Sequence, residues 1–201
     1  MPSDVDLCND ALGQIGALFI SALDDGTINA NHCTRFYPTL RDAALVMTEW
    51  TFNRHRVALA LDVDAPLFEF AYSYTLPADF LKLIQYAGEQ PTTATSPPSS
   101  DGLDVFISRY KIESGHLLTN DAQVSILYAA RLTNPDLWSP MFYQGLATQL
   151  AGKLASAITK DSKKSLTLWQ EGTSMLTLAA AIDGQQGSIE PIAVNDLLWG
   201  R

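Results

Sequence analysis

The chain has few residues that do chemistry. Its 201 residues include two cysteines and three histidines. With no signal peptide ahead of them, Cys8 and Cys33 read as buried thiols. His32, His55 and His116 show no helical metal-site spacing, and the two cysteines do not complete a four-ligand set. No metal or other cofactor is therefore expected. The Gly-x-Ser-x-Gly elbow and the glycine-rich phosphate loop are both missing. Positive charge is scarce: 13 Lys and Arg face 22 Asp and Glu, for a net charge of -9. No basic run is present to neutralise phosphates, which disfavours direct nucleic-acid binding. An acidic surface still has a use near DNA, because a channel wall that repels phosphate lets DNA slide. No apolar run approaches the ~20 residues of a membrane span. The opening residues, MPSDVDLCND, are polar and acidic and do not form a signal sequence. The chain reads as soluble, intracellular when made, and without a membrane partner.

What is present suits a folded domain: 47% of residues are hydrophobic and 17% charged. Ser3 with Asp6 forms a capping box ahead of Leu7, Ala11, Leu12 and Ile15, which predicts a helix ending near Gly16. Thr27 caps a second helix, whose stripe runs Cys33, Phe36, Tyr37, Leu40, Ala44, Met47 and Trp50. Pro38 lies inside that stripe and predicts two pieces, the stronger after the proline. Over 67–74, Phe68, Phe70, Tyr72 and Tyr74 alternate with smaller or polar residues, the period of a strand. Segments 81–86, 105–112 and 123–131 add strands, with a tight turn at Ser114-Gly115 and a short strand at Leu117-Leu118. Residues 88–102, rich in proline, serine and threonine, read as a mobile loop.

Helices return after Ser139-Pro140, a cap followed by a first-turn proline. Phe142, Leu146, Leu150, Leu154 and Ile158 form a stripe, with Gly145 and Gly152 among the small residues beside it. Asp161 or Ser162 starts the last helix, and Gly184 ends it. Beyond it lies an apolar tail without a period. Ile189, Ile192, Val194, Leu197, Leu198, Trp199 and Arg201 are its candidate subunit or portal interface residues. The tail either folds back on its own domain or docks on another subunit.

The predicted fold class is α+β, mainly α. It is an antiparallel helical bundle over 1–66 and 132–186, an inserted small antiparallel β-sheet over 67–131, and an extended tail over 187–201. Trp50, Phe52, Phe68, Phe70 and Tyr72 resemble a stacking surface, but only Arg54 and Arg56 supply charge, so core packing is the better account. Catalysis has one opening. Asp62, Asp64, Glu69, Asp79, Asp101 and Asp104 lie in or near middle loops, and a glycosidase needs two carboxyls about 5–9 Å apart.

Several strings, in order, resemble the tail tubular protein A family of short-tailed bacteriophages, which are head-to-tail adaptor (connector) proteins. The strings are residues 9–16, Tyr37 with Leu40-Arg41-Asp42, Trp50-Thr51-Phe52, residues 70–79, residues 124–128, Trp138-Ser139-Pro140 and the helix over 146–158. They span nearly the whole chain. The sequence departs from the pattern at the 88–102 loop and at Asn53, where an alanine is expected. The resemblance implies a ring of neighbouring copies, usually dodecameric, at the head–tail junction of the virion. Such a ring binds the portal protein, continues the DNA channel without sequence-specific contact, and receives the next tail (nozzle) protein. It implies no catalytic residue. The alternatives are a glycan- or peptidoglycan-cleaving hydrolase using the loop carboxylates, and a transient chaperone acting through the tail.

Overall fold

The computed structural model describes residues 2–89 and 109–186. Helix α1 (Asp4–Ile15) begins on Ser3. Ser3 Oγ accepts from Asp6 N at 3.1 Å and the Asp6 carboxylate accepts from Ser3 N at 2.8 Å, so both halves of the capping box form. Gly16, at φ 73°, closes the helix in the left-handed region. Helix α2 (Ile28–Met47) starts on Thr27, whose Oγ1 accepts from Ala30 N at 3.1 Å. It runs unbroken through Pro38, where two pieces are predicted. Ala30, Cys33 and Tyr37 bury the first half in the core. That burial outweighs the single backbone hydrogen bond the proline removes.

Helix α3 (Pro140–Leu154) starts where Ser139 Oγ accepts from Phe142 N at 3.3 Å. It runs into a π-helical turn, Ala155–Thr159, and Lys160 at φ 55° reverses the chain. Asp161 then caps α4 (Ser162–Gly184) by accepting from Lys164 N at 2.9 Å. Glycines bring α3 and α4 close together. A Cβ on Gly172 would lie 2.6 Å from Gln149 N, and one on Gly152 would lie 2.9 Å from Trp169 N. Leu7, Leu12, Leu45, Phe142, Leu146 and Leu150 fill the core between the helices. Trp50 is fully buried there. Its Nε1 donates to Ala44 O at 2.9 Å, and its ring lies 5.5 Å from Phe52 and 5.0 Å, edge-on, from Phe142. Asn53 is buried beside it, and its Nδ2 donates to Leu45 O at 3.0 Å. That bond satisfies a carbonyl at the end of α2, which an alanine would leave unmet.

The strands are β1 (Arg54–Ala58), β2 (Tyr72–Thr75), β3 (Phe80–Glu89), β4 (Tyr110–Glu113), β5 (His116–Thr119) and β6 (Gln123–Ala130). They make two antiparallel sheets, ordered β1-β6-β3 and β2-β5-β4. This corrects the expected architecture. A mainly α bundle with one small inserted sheet does not describe the chain, which is a mixed α+β fold of four α-helices and two three-stranded sheets. One cause is β1. It lies in the stretch assigned to the bundle, yet pairs along β6 with His55 opposite Tyr128. Its sequence, RHRVA, carries no apolar alternation because the strand is mostly exposed.

The strand expected over 67–74 begins only at Tyr72. Glu69 adopts φ 71°, which interrupts the extended chain and leaves Leu67 and Phe68 in solvent. At the β4–β5 hairpin, Ser114 and Gly115 both have positive φ, as a two-residue type I′ turn requires. The two sheets share a second core. Tyr74, Leu76 and Leu117 of one meet Val124, Ile126 and Tyr128 of the other. A polar joint reinforces it: Tyr86 Oη donates to Asp121 Oδ2 at 2.6 Å, and Tyr74 Oη donates to Asp121 O at 2.9 Å.

Candidate functional site

Between β1 and β2 the chain makes a long connection over 59–71, tied down at one end. Leu61 bridges to Tyr74, and Asp62 N donates to Ser73 O at 2.8 Å. The Asp62 carboxylate then gathers three side chains. Oδ2 accepts from Ser73 Oγ at 2.6 Å and lies 2.8 Å from His116 Nδ1, while Oδ1 accepts from Thr75 Oγ1 at 2.5 Å. Strand pairing makes the cluster possible, because Thr75 stands opposite His116 across β2 and β5. The Ser73 hydroxyl first, then the Thr75 hydroxyl and the His116 ring nitrogen, hold Asp62 down to about 2. An ionised carboxylate only accepts, so His116 donates to it through Nδ1.

This cluster floors a groove of about 490 Å³ between the connection and the β4–β5 hairpin. Asp64, Glu69, Glu113, Leu67 and Phe68 are among its walls. Three of the carboxylates singled out in the sequence, Asp62, Asp64 and Glu69, therefore meet here. Asp79 does not. It accepts from Tyr128 Oη at 3.0 Å, and its Oδ2 lies 3.9 Å from His55 Nδ1. Asp101 and Asp104 lie outside the described residues, as do the 90–102 part of the proline-rich loop and residues 105–108 of an expected strand. In the sequence His116 reads only as a non-ligand, and no local signal marks it. Its partner lies 54 positions away and is met only once the strands pair.

Two of the groove carboxylates bear on glycan hydrolysis. That chemistry needs one carboxyl kept protonated as the acid. Asp62 is held ionised, and Glu69 pairs with Lys111 Nζ at 2.6 Å. No hydroxyl or thiol bonds to His116 Nε2 among the described residues. Nor do the described residues contain a group of three or more His, Cys, Asp or Glu that could hold a metal.

Comparison of the chain with known protein families and with curated proteins finds no match.

The surface offers more than the groove chemistry. Val63 is 100% exposed, Leu67 98% and Phe68 78%, all in the connection that walls the groove. A second apolar group joins the end of α1 to α2: Leu18 is 83% exposed, Phe19 70% and Ile28 73%. The chain around that group is well held. Asn9 Oδ1 accepts from Ile20 N at 2.8 Å, and Asn29 Nδ2 donates to Leu18 O at 2.8 Å. Large apolar side chains thus stand in water in two places, the α1–α2 patch on backbone held by Asn9 and Asn29. The tail candidates, Ile189, Ile192, Val194, Leu197, Leu198, Trp199 and Arg201, lie outside the described residues. No described helix is long and apolar enough to cross a membrane.

Many residues of the resemblance strings act as joints. Arg41 is buried and grips Asp42 through Nε at 3.0 Å and Nη2 at 2.8 Å, while Asp42 also accepts from Arg131 Nε at 2.8 Å. This ties α2 to the end of β6. Thr51 donates through N at 2.6 Å and through Oγ1 at 2.7 Å to the buried Asp183 carboxylate of α4. A carboxylate near a helix C-terminus opposes the helix dipole, and these two donors offset that cost.

Proposed function

We propose that the chain is a structural subunit, a bacteriophage head-to-tail adaptor. In this reading copies form a ring, dodecameric as in the family it resembles, beneath the portal protein. The ring extends the DNA channel and docks the next tail protein, and the chain resides in the virion at the head–tail junction. The observation that carries the reading is the pair of separate exposed apolar surfaces, Leu18-Phe19-Ile28 and Val63-Leu67-Phe68. A subunit in a ring presents different patches to its neighbours, and it needs more than one. The net charge of -9 supports a wall that does not bind passing DNA. The tail over 187–201 supplies a further apolar segment for a partner.

Co-sedimentation with the matching portal ring tests this. The expected result is that the chain moves with the ring. A chain that stays in the light fractions at high concentration contradicts the proposal.

One observation favours a second reading, glycan or peptidoglycan hydrolysis: the grouping of Asp62, Asp64, Glu69 and His116 around the groove. That reading requires glycan release by the wild-type chain and its loss in Asp64→Asn and Glu69→Gln. Release that survives both substitutions removes those roles.

A further inference from the structure

The groove walls combine exposed apolar side chains with negative charge. Asp64 and Glu113 enter no ion pair among the described residues, and Leu67 and Phe68 stand beside them. The complementary surface lies elsewhere on the same chain. At the turn between α3 and α4, Lys160, Lys163 and Lys164 are exposed and enter no ion pair among the described residues, and Leu166 is exposed next to them. Lys160 is held in the left-handed region, at φ 55°. Lys163 and Lys164 occupy the first turn of α4, directly behind the Asp161 cap. The one Asp161 carboxylate, taken up in the cap, faces three lysines there. Carboxylates of a partner would balance the excess of positive charge.

We infer that the acidic, apolar groove of one copy receives the basic Lys160–Leu166 turn of the next. This deepens the ring reading and rests on it, because it names the two surfaces through which copies meet. The two patches differ, so the contact is heterologous and propagates from copy to copy. The apolar side chains supply buried area, and the charges set register and exclude wrong pairings. Salt weakens the contact, since the charges lie at an exposed rim.

The experiment uses the full chain in two isotopically distinct preparations, mixed with and without portal ring and treated with a water-soluble carbodiimide. This reagent joins lysine amines to carboxylates already in contact. The expected mixed-isotope peptides join Lys160, Lys163 or Lys164 to Asp64, Glu69 or Glu113. Charge reversal then separates the surfaces. Lys163→Glu with Lys164→Glu, and Asp64→Lys with Glu113→Lys, each lower assembly alone by about tenfold or more. Mixing the two variants restores it, because each now complements the other at both surfaces. All four positions are exposed or at the groove rim, and circular dichroism confirms that the variants fold. Assembly through other peptides, unaffected by the reversals, overturns this pairing and leaves the ring reading standing. Copies that never join, with or without portal ring, overturn both.

Discussion

Asp62 fastens the exposed β1–β2 connection to the second sheet through Ser73, Thr75 and His116. Replacing it with asparagine removes charge-assisted acceptors that stay partly in solvent, for an expected loss of about 1 kcal/mol. The pH dependence follows from the direction of its shift. The folded chain holds the carboxyl near 2, below the ordinary 3.8. The carboxylate therefore adds stability above about pH 4 and loses that contribution as pH falls toward 2. Urea titrations of wild type and Asp62→Asn should differ by a constant amount above about pH 5 and converge below pH 4. A gap that stays constant down to pH 2 contradicts the role given to Asp62. Nothing in the local sequence announces it, since its partners lie 11, 13 and 54 positions away. The Ser3–Asp6 box and the left-handed Gly16 are legible because cap chemistry is local.

At the scale of elements, the helices are legible and the strands only in part. Ser139-Pro140, Asp161 and the leucine stripe of α3 mark ends and faces by short-range rules. β1 is hidden because an exposed edge strand carries no apolar alternation, and the shortened β2 depends on the one positive φ at Glu69. The α3–α4 contact makes a sharp prediction. Alanine has the higher helix propensity by about 1 kcal/mol, so an exposed Gly172→Ala would stabilise. Here the added Cβ would meet Gln149 N at 2.6 Å and Gly145 O at 2.9 Å, both backbone atoms that cannot rotate away. The expected outcome is a loss of about 1–3 kcal/mol by thermal or urea unfolding. A neutral or raised stability means the helices are farther apart than described.

Across the whole molecule, the residues that resemble the adaptor family do two kinds of work. Trp50, Arg41, Asp42, Thr51 and Asp79 join layers of the fold, so their order reflects architecture as much as activity. The candidate site was partly legible. Three of its carboxylates stand out as loop acids, but the histidine and the apolar rim do not. Phe68 reads as part of the inward face of a strand, and only the folded chain shows it exposed beside Leu67. We propose that this chain works as one of many copies on a larger machine. Electron microscopy of the purified portal ring saturated with the chain tests that most directly. The predicted result is a second ring of density stacked on the portal, coaxial with its channel. Bare portal rings beside free single chains would contradict it.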